Sequence, residues 1–196
     1  MAEEKGKALW TGEALATFAV LFAASLFVRL WPVLSIEHSW EDAYFYTELA
    51  RTLSRGRWEL MGAFHAKYLP GFPAAILAAH TAFLGLLDWF KSAQAALAVA
   101  ASCIPWLCLA LTRRFTGSRA AGWAAAAMAL LNAHLVAYAG VPFSAGLFAM
   151  QTVLALALLP RFPVAAGAAA GWAAITRHQG ILLALYAREK TGRGQK

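Results

Sequence analysis

The sequence has little charge. Only 14% of its 196 residues are Asp, Glu, Lys or Arg, while 61% are hydrophobic. A soluble globular chain is about 45–50% apolar and about 25% charged, so this composition excludes an ordinary soluble domain. The acids are also unevenly placed, because no Asp or Glu occurs between Asp88 and Glu189. We therefore expect an integral membrane protein.

Cysteine is also scarce. Cys103 and Cys108 lie five positions apart in one apolar block, a spacing that suits neither a metal knuckle nor a disulfide within one helix. We expect both to be packing residues. The sequence also lacks the interleaved aromatic and basic residues of a nucleic-acid binder. Its formal charge of +7 comes largely from basic clusters at 112–119 and in the tail 188–196, which are expected near lipid phosphates.

Long apolar blocks, in contrast, are abundant. A helix crosses the hydrocarbon core in about 20 residues, and the first block, residues 14–34, has that length and carries one charge, Arg29. Further blocks fill residues 69–187, with a break at "YAGVPFSAG" (138–146), where glycine and proline interrupt a helix. The pattern predicts an all-α fold, a polytopic α-helical membrane protein with about five to six membrane helices in one membrane domain, 1–196.

The N-terminus is expected to lie in the cytoplasm. Lys5 and Lys7 precede the first apolar block within a tail of residues 1–13, and the positive-inside bias holds such a tail inside. The block then crosses, so residues 35–68 form a loop outside the cytoplasm. We expect a protein of the bacterial inner (plasma) membrane, in contact with membrane lipids.

One connection leaves two topologies open. If residues 69–89 cross the membrane completely, the arginines of 112–119 lie outside, against the usual charge bias. If these residues dip into the outer leaflet and return, the arginines lie inside, and Arg177 lies on the same side as the external loop. We prefer the second arrangement, although the basic tail then requires that residues after Gly180 turn back.

The external loop holds half of the acidic residues. Five of the ten carboxylates fall between residues 37 and 60. Apolar residues recur in this stretch at every fourth position, Phe45, Leu49 and Leu53. This period predicts an amphipathic juxtamembrane helix over 42–55, lying along the bilayer surface with Thr47 on its polar face.

Asp42 has two interpretations that the sequence leaves open. Ser39 lies three positions before it, the spacing of a capping box, so Asp42 is either a helix cap that satisfies backbone donors or an acid that the cap fixes for use as a catalytic base or a metal ligand. His65 and Lys67 are likewise either donors for an anionic group or interfacial residues. We interpret the neighbouring Tyr68 as a member of an interfacial aromatic belt.

Four other residues bear on packing and charge. Arg177 lies in an apolar block, where an arginine is costly enough to indicate a functional role; a helix end near it is the alternative. Arg29, close to the end of the first block, is expected to reach the membrane interface. Gly167 and Gly171 form a small-xxx-small face that should pack two helices closely.

The order of these features resembles the GT-C glycosyltransferases, polytopic enzymes that take sugars from polyprenyl-phosphate carriers. "DAYFYTELARTLSRG" (42–56) is similar to the family's acidic segment, with Asp42 in the place of its first Asp. "YLPG" (68–71) stands where the family has Tyr-Pro-Pro, and "GAAAGWAAITRHQG" (167–180) is similar to its Gly-x-x-x-Gly and Thr-Arg-Pro segment. The resemblance covers most of residues 10–187.

The resemblance implies a mechanism and assigns candidate residues. Asp42 would be the catalytic base outside the membrane, and Arg177 would bind the departing carrier phosphate. His65, Lys67 and Glu41 are further substrate-binding candidates. The implied partner is a polyprenyl-phosphate sugar. A divalent cation is left open as a cofactor, and no metal ligands are assigned because one loop offers a thin set of donors.

The chain also departs from this family. Members generally continue through several more helices, and many hold a further acid in the second external loop, where "YAGVPFSAG" has none. These departures favour an alternative, a non-catalytic membrane subunit of the same ancestry that packs against other membrane protein subunits. A small transporter subunit is disfavoured, since no acid lies inside the membrane to couple ions.

Overall fold

The computed structural model describes residues 12–37, 41–65 and 67–193. In these ranges the chain forms nine helices: α1 Gly12–Ser35, α2 Glu41–Leu53, α3 Gly71–Ala82, α4 Trp89–Thr116, α5 Arg119–Leu130, α6 Ala133–Gly140, α7 Ser144–Leu158, α8 Pro163–Thr176 and α9 Gly180–Arg193. One antiparallel hairpin joins β1 (Glu59–Leu60) to β2 (Ala63–Phe64). The predicted all-α class is confirmed for this part of the chain. The predicted cap residue Ser39, and Lys5 and Lys7 of the tail, lie outside the described ranges.

Two helices are long and apolar enough to cross a membrane. These are α1, with 24 residues, and α4, with 28. The helices α5 and α6, bent by 40° at their break, would add a third span if they are counted as one; α7 and α8 are shorter apolar helices. By length and composition alone, two helices of the described residues, or three if the bent pair is one, could span a membrane, and the five to six spans that the sequence predicts stay a prediction.

One end of the bundle, called here the upper end, is tied together by two side chains of α4. The Lys91 ammonium donates hydrogen bonds to the carbonyls of Val33 and Ile36, at 2.8 and 3.2 Å. Gln94 Nε2 donates to the carbonyls of Ile36 and Gly140, at 2.9 and 2.7 Å. These bonds satisfy carbonyls that a helix leaves free at its C-terminus. The end of α1, the start of α4 and the end of α6 therefore meet at the upper end.

The opposite, lower end gathers arginines. The start of α1, the end of α4 and the turn between α7 and α8 line one cavity there, and Arg113, Arg114, Arg119 and Arg161 belong to its lining together with Glu13. Along the bundle α4 thus runs downward, α5 and α6 return to the upper end, α7 descends and α8 ascends.

Helix α3 does not run the length of the bundle. Its 12 residues extend about 18 Å, less than the roughly 30 Å of a hydrocarbon core. Gly71 at its start lies against Thr176 at the upper end of α8. Near its other end, His80 Nδ1 lies 3.2 Å from Ser92 Oγ in the first turn of α4. Both ends of α3 therefore lie at the upper end, opposite to Arg113, which is the arrangement that the second of the two predicted topologies requires.

Helix α9 turns back along α8. A side chain added at Gly180 would collide with the backbone of Ala173, so only glycine permits this close return. Further along, Leu183 and Ala184 pack against the cluster that contains Ala169. The basic C-terminal segment therefore runs toward the lower end, which removes its conflict with the charge bias.

Helix α2 lies across the upper end and packs against both α3 and α4. Leu49 is fully buried and Phe45 partly buried, as the four-residue period predicts. The placement of Thr47 on the polar face is wrong, because Thr47 is 9% exposed; a helix with two neighbours buries more than one stripe. The predicted bounds 42–55 are also corrected, since the helix ends at Leu53.

Candidate functional site

Asp42 lies in the first turn of α2 and is held by Tyr68. The Tyr68 hydroxyl donates a hydrogen bond to Asp42 Oδ1. The Tyr68 side chain is 8% exposed, and its burial, followed by the effects of the Asp42 carboxylate, raises its pKa well above the ordinary value. The phenol therefore keeps its proton and remains a donor at neutral pH. The interpretation of Tyr68 as a belt residue is corrected, because it faces the protein and orients the candidate base.

The other candidates from the loop surround the same phenol. The His65 ring stacks on the Tyr68 ring, with centroids 5.2 Å apart and planes 17° apart. Lys67 Nζ lies 5.0 Å from the centre of the Tyr68 ring, a cation–π distance. Glu41 acts electrostatically on the Tyr68 hydroxyl. The structure thus brings Asp42, Glu41, His65 and Lys67 together around Tyr68.

His65 has one ring nitrogen available for a further partner. Its backbone carbonyl accepts a hydrogen bond from Trp58 Nε1 at 2.6 Å, which fixes this part of the loop after the hairpin. Among the described residues, His65 Nε2 is buried and has no hydrogen-bond partner. A buried polar atom without a partner is unfavourable, so this nitrogen needs a partner that the described residues do not supply.

Tyr46 links this cluster to Arg177. Its hydroxyl donates to Ser144 Oγ, at the start of α7, over 3.0 Å, and its ring lies 4.8 Å from that of Tyr68. The pKa of Tyr46 is raised, chiefly by burial of its hydroxyl. The charge of Asp42 also raises this pKa, whereas the hydrogen bond to Ser144 and the charge of Arg177 lower it. Through Ser144, Tyr46 also reaches the start of α7, where Phe143 lies against the Arg177 guanidinium.

Arg177 follows α8 rather than lying inside a helix. Its backbone is extended, with φ −147° and ψ 142°, immediately after Thr176. The guanidinium carbon lies 5.3 Å from the centre of the Phe143 ring, and Nε lies 3.5 Å from Gln179 Oε1. The helix end that the sequence left as the alternative for Arg177 is therefore present. Arg177 is a partly exposed arginine at the upper end, next to the start of α7.

The segments that carry the family resemblance meet at this end. A side chain at Gly71 would collide with Thr176 Oγ1 and lie 2.7 Å from the Ile175 carbonyl, so glycine allows the start of α3 to touch the end of α8. Gln151 of α7 donates to Thr176 Oγ1 at 2.9 Å. The contact joins residues 68–71 to 167–180, and Tyr68 joins 68–71 to 42–56.

Arg29 is a polar residue that the sequence analysis placed wrongly. It was expected at the interface, but its side chain is 0% exposed. Nη1 donates to the Ser25 carbonyl at 3.1 Å and Nη2 lies 3.4 Å from the Ala129 carbonyl. Ala129 is in the last turn of α5, where carbonyls lack helical partners, so the guanidinium supports the break between α5 and α6. The position of Arg29 within a long apolar block was the sequence signal for this role, because an arginine there is costly unless it has polar partners.

Among the described residues, the candidates coincide with neither a metal-binding cluster nor one of the two cavities. The residues that the structure describes include no group of three or more His, Cys, Asp or Glu that could hold a metal ion; His38 of the acidic loop lies outside those ranges. Of the two cavities described, one is at the lower end and the other is lined by Glu37, Asp88 and Lys91, among others. Neither is lined by Asp42 or Arg177.

Comparisons with protein-family models, with curated proteins and with solved structures found no match to this chain. The resemblance to the GT-C glycosyltransferases therefore stays a prediction from the quoted motifs. What the structure adds is their spatial arrangement at the upper end.

Proposed function

We propose that this chain is an integral membrane protein that transfers a sugar from a polyprenyl-phosphate carrier to an acceptor at its upper end. The observation that supports this proposal most is a chain of contacts between distant parts of the sequence: Asp42 accepts from Tyr68, whose ring contacts Tyr46, and Tyr46 donates to Ser144. The residue before Ser144, Phe143, lies against the Arg177 guanidinium. A base and a phosphate ligand near one point are the two groups that this transfer needs.

Each residue has a defined role in the proposed reaction. The acceptor oxygen or nitrogen bonds to the anomeric carbon of the sugar as the bond from that carbon to the carrier phosphate oxygen breaks. Asp42 takes the proton of the acceptor, and Tyr68 orients the carboxylate that does so. Arg177 binds the departing phosphate with its planar guanidinium. His65 and Lys67, which contact the Tyr68 ring, and Glu41, next to Asp42 in the chain, bind the substrate.

The charges favour one orientation in a bacterial inner membrane. Arg113, Arg114, Arg119 and Arg161 lie at the lower end, and the basic tail runs toward it. The positive-inside bias then places the lower end in the cytoplasm. The upper end, with the candidate site, faces the opposite side.

A second candidate is a non-catalytic membrane subunit that packs against other subunits. Gly167 and Gly171 support it, because both lie on an exposed face of α8, and a Cβ added at either would meet no atom of the described residues within 4 Å. The sequence predicts that this face packs two helices. Since the described part of the chain leaves the face open, a helix of a partner subunit fits it.

The test of the first candidate is sugar transfer by the purified full chain from labelled polyprenyl-phosphate sugars. Asp42→Asn should lower turnover by roughly 10²- to 10⁴-fold, because Asn cannot take the acceptor's proton. Asp88→Asn is the matched control. Asp88 is at the same end and caps α4 by accepting from the Lys91 amide at 2.7 Å, and Asn also caps helices, so this variant should keep its activity.

Each outcome separates the candidates. Full activity in Asp42→Asn would reject the assignment of the base. Equal loss in Asp42→Asn and Asp88→Asn would indicate a structural role for both. If the wild-type chain transfers no sugar, either alone or with the proteins that copurify with it, the non-catalytic subunit is favoured.

A further inference from the structure

The cavity at the lower end is separate from the candidate site. Its volume is about 560 Å³, within the range of roughly 300–1,000 Å³ that is common for ligand pockets. Its walls come mainly from α4 and α7 and are largely apolar. They include Trp106, Leu107, Leu109, Ala110, Leu154 and Ala157.

The rim of this cavity is strongly positive. Arg113 and Arg114 come from the end of α4, Arg119 from the start of α5 and Arg161 from the turn after α7, and Glu13 is the carboxylate among the described lining residues. The three arginines of α4 and α5 are exposed and form no salt bridge within the described ranges. Arginine at the rim is well matched to phosphate, because its planar guanidinium donates two parallel hydrogen bonds.

We infer that this cavity binds an anionic phospholipid, with the phosphate among the rim arginines and an acyl chain along the apolar wall. A positive rim above an apolar wall fits a ligand that is anionic at one end and apolar at the other. The apolar wall adds no binding energy for a free phosphate, which has no apolar part. The positive rim adds little binding energy for a zwitterionic lipid, which has no net charge. This inference requires that the chain lies in a membrane, with this end at the headgroups, and it does not depend on sugar transfer.

Native mass spectrometry of the full chain in mild detergent tests this inference, with phosphatidylglycerol and phosphatidylcholine as probes. The wild type should retain one phosphatidylglycerol and no phosphatidylcholine. The double variant Arg114→Gln, Arg119→Gln should bind phosphatidylglycerol about 25-fold more weakly, at about fivefold for each arginine. It leaves Arg113 in place, whose side chain packs against α5. The control, Arg55→Gln with Arg57→Gln, removes the same charge at the upper end and should stay within about twofold.

A second variant distinguishes binding of the lipid inside the cavity from simple attraction of the lipid to the positive rim. Ala157→Phe fills the wall without changing the charge, so it should also weaken phosphatidylglycerol binding. Ala110→Phe replaces it if circular dichroism shows that Ala157→Phe does not fold. Equal retention of phosphatidylcholine, equal loss in the upper-end control, or wild-type binding by a folded filling variant would each overturn the inference. Displacement of the lipid by an equal concentration of glycerol phosphate would overturn it too, because the wall would then contribute nothing.

Discussion

At the scale of single residues, two buried tyrosines connect the candidate groups. The Tyr68 hydroxyl donates a hydrogen bond to the carboxylate of Asp42. The Tyr46 ring contacts the Tyr68 ring, and the Tyr46 hydroxyl donates to Ser144, which follows the Phe143 that Arg177 contacts. A carboxylate that is oriented before the substrate arrives does not have to reorganise during the reaction. Tyr68 is therefore a positioning residue for the proposed base.

The Tyr68→Phe variant tests this role through pH. The fold raises the pKa of both Tyr46 and Tyr68 above 10.0, so ultraviolet titration should show tyrosines that ionise late, and Tyr68→Phe should lack one of them. The protonated phenol is the form that the fold favours. Its contribution to stability is therefore complete below about pH 10 and is lost as the pH rises through the raised pKa.

The same variant should also lower the free energy of unfolding near neutral pH, by about 1.5 kcal/mol, the contribution of one hydrogen bond to a charged group. The ring of Phe keeps the stacking with His65. An unchanged alkaline titration together with unchanged stability would contradict the buried contact with Asp42.

The sequence predicted which residues are candidates for the site better than it predicted which atoms those residues contact. Asp42, His65 and Lys67 all come from the segment 35–68, but α2 and the hairpin separate Asp42 from the other two, and their contacts with Tyr68 bring them together. The roles of Tyr68 and Arg29 depend on atoms from other elements, the Asp42 carboxylate and a carbonyl of α5. A sequence pattern does not show whether an aromatic or an arginine near a helix end faces lipid or protein.

At the scale of elements, α2 shows how far a hydrophobic period can be used. The four-residue period placed Leu49 on the buried stripe, because one face of a helix packs against its neighbour. The burial of Thr47 has a different cause, which is that α2 contacts both α3 and α4. The number of neighbours of a helix is a property of the tertiary structure, and the period does not contain it.

The Leu49→Glu variant tests the packing of α2. Leu49 is 0% exposed and lies in the core cluster with Phe72 and Ile76. A carboxylate there loses the apolar contacts and is buried without a partner, so the free energy of unfolding should fall by about 3 kcal/mol or more. Tyr44 lies on the same helix and is 55% exposed. As a control, Tyr44→Glu should change the free energy of unfolding by about 0.5 kcal/mol at most.

Denaturant unfolding followed by circular dichroism measures both variants in the same detergent. A similar small change in the two variants would show that the Leu49 face of α2 does not pack on the bundle.

At the scale of the whole molecule, the bundle has two ends with different chemistry. The upper end combines acids, histidine and aromatic residues with Arg177, and the lower end holds an apolar cavity with an arginine rim. Composition predicted the helices and their apolar character. It did not decide whether α3 crosses or dips, because an apolar stretch of about 20 residues is compatible with both. The contacts of Gly71 with Thr176 and of His80 with Ser92 place both ends of α3 at the upper end, and the passage of this segment through a membrane stays a prediction.

The single site exists only if the candidate base and the candidate phosphate ligand face the same side of the membrane. Cysteine accessibility measures this directly, in a chain whose own Cys103 and Cys108 are replaced by Ala. Ser54→Cys follows α2, His178→Cys follows α8, and Thr116→Cys ends α4; all three positions are exposed. In intact cells a membrane-impermeant thiol reagent should label Ser54→Cys and His178→Cys, and Thr116→Cys only after permeabilisation. Labelling of Ser54→Cys and His178→Cys from opposite sides would separate the two groups and contradict the proposed site.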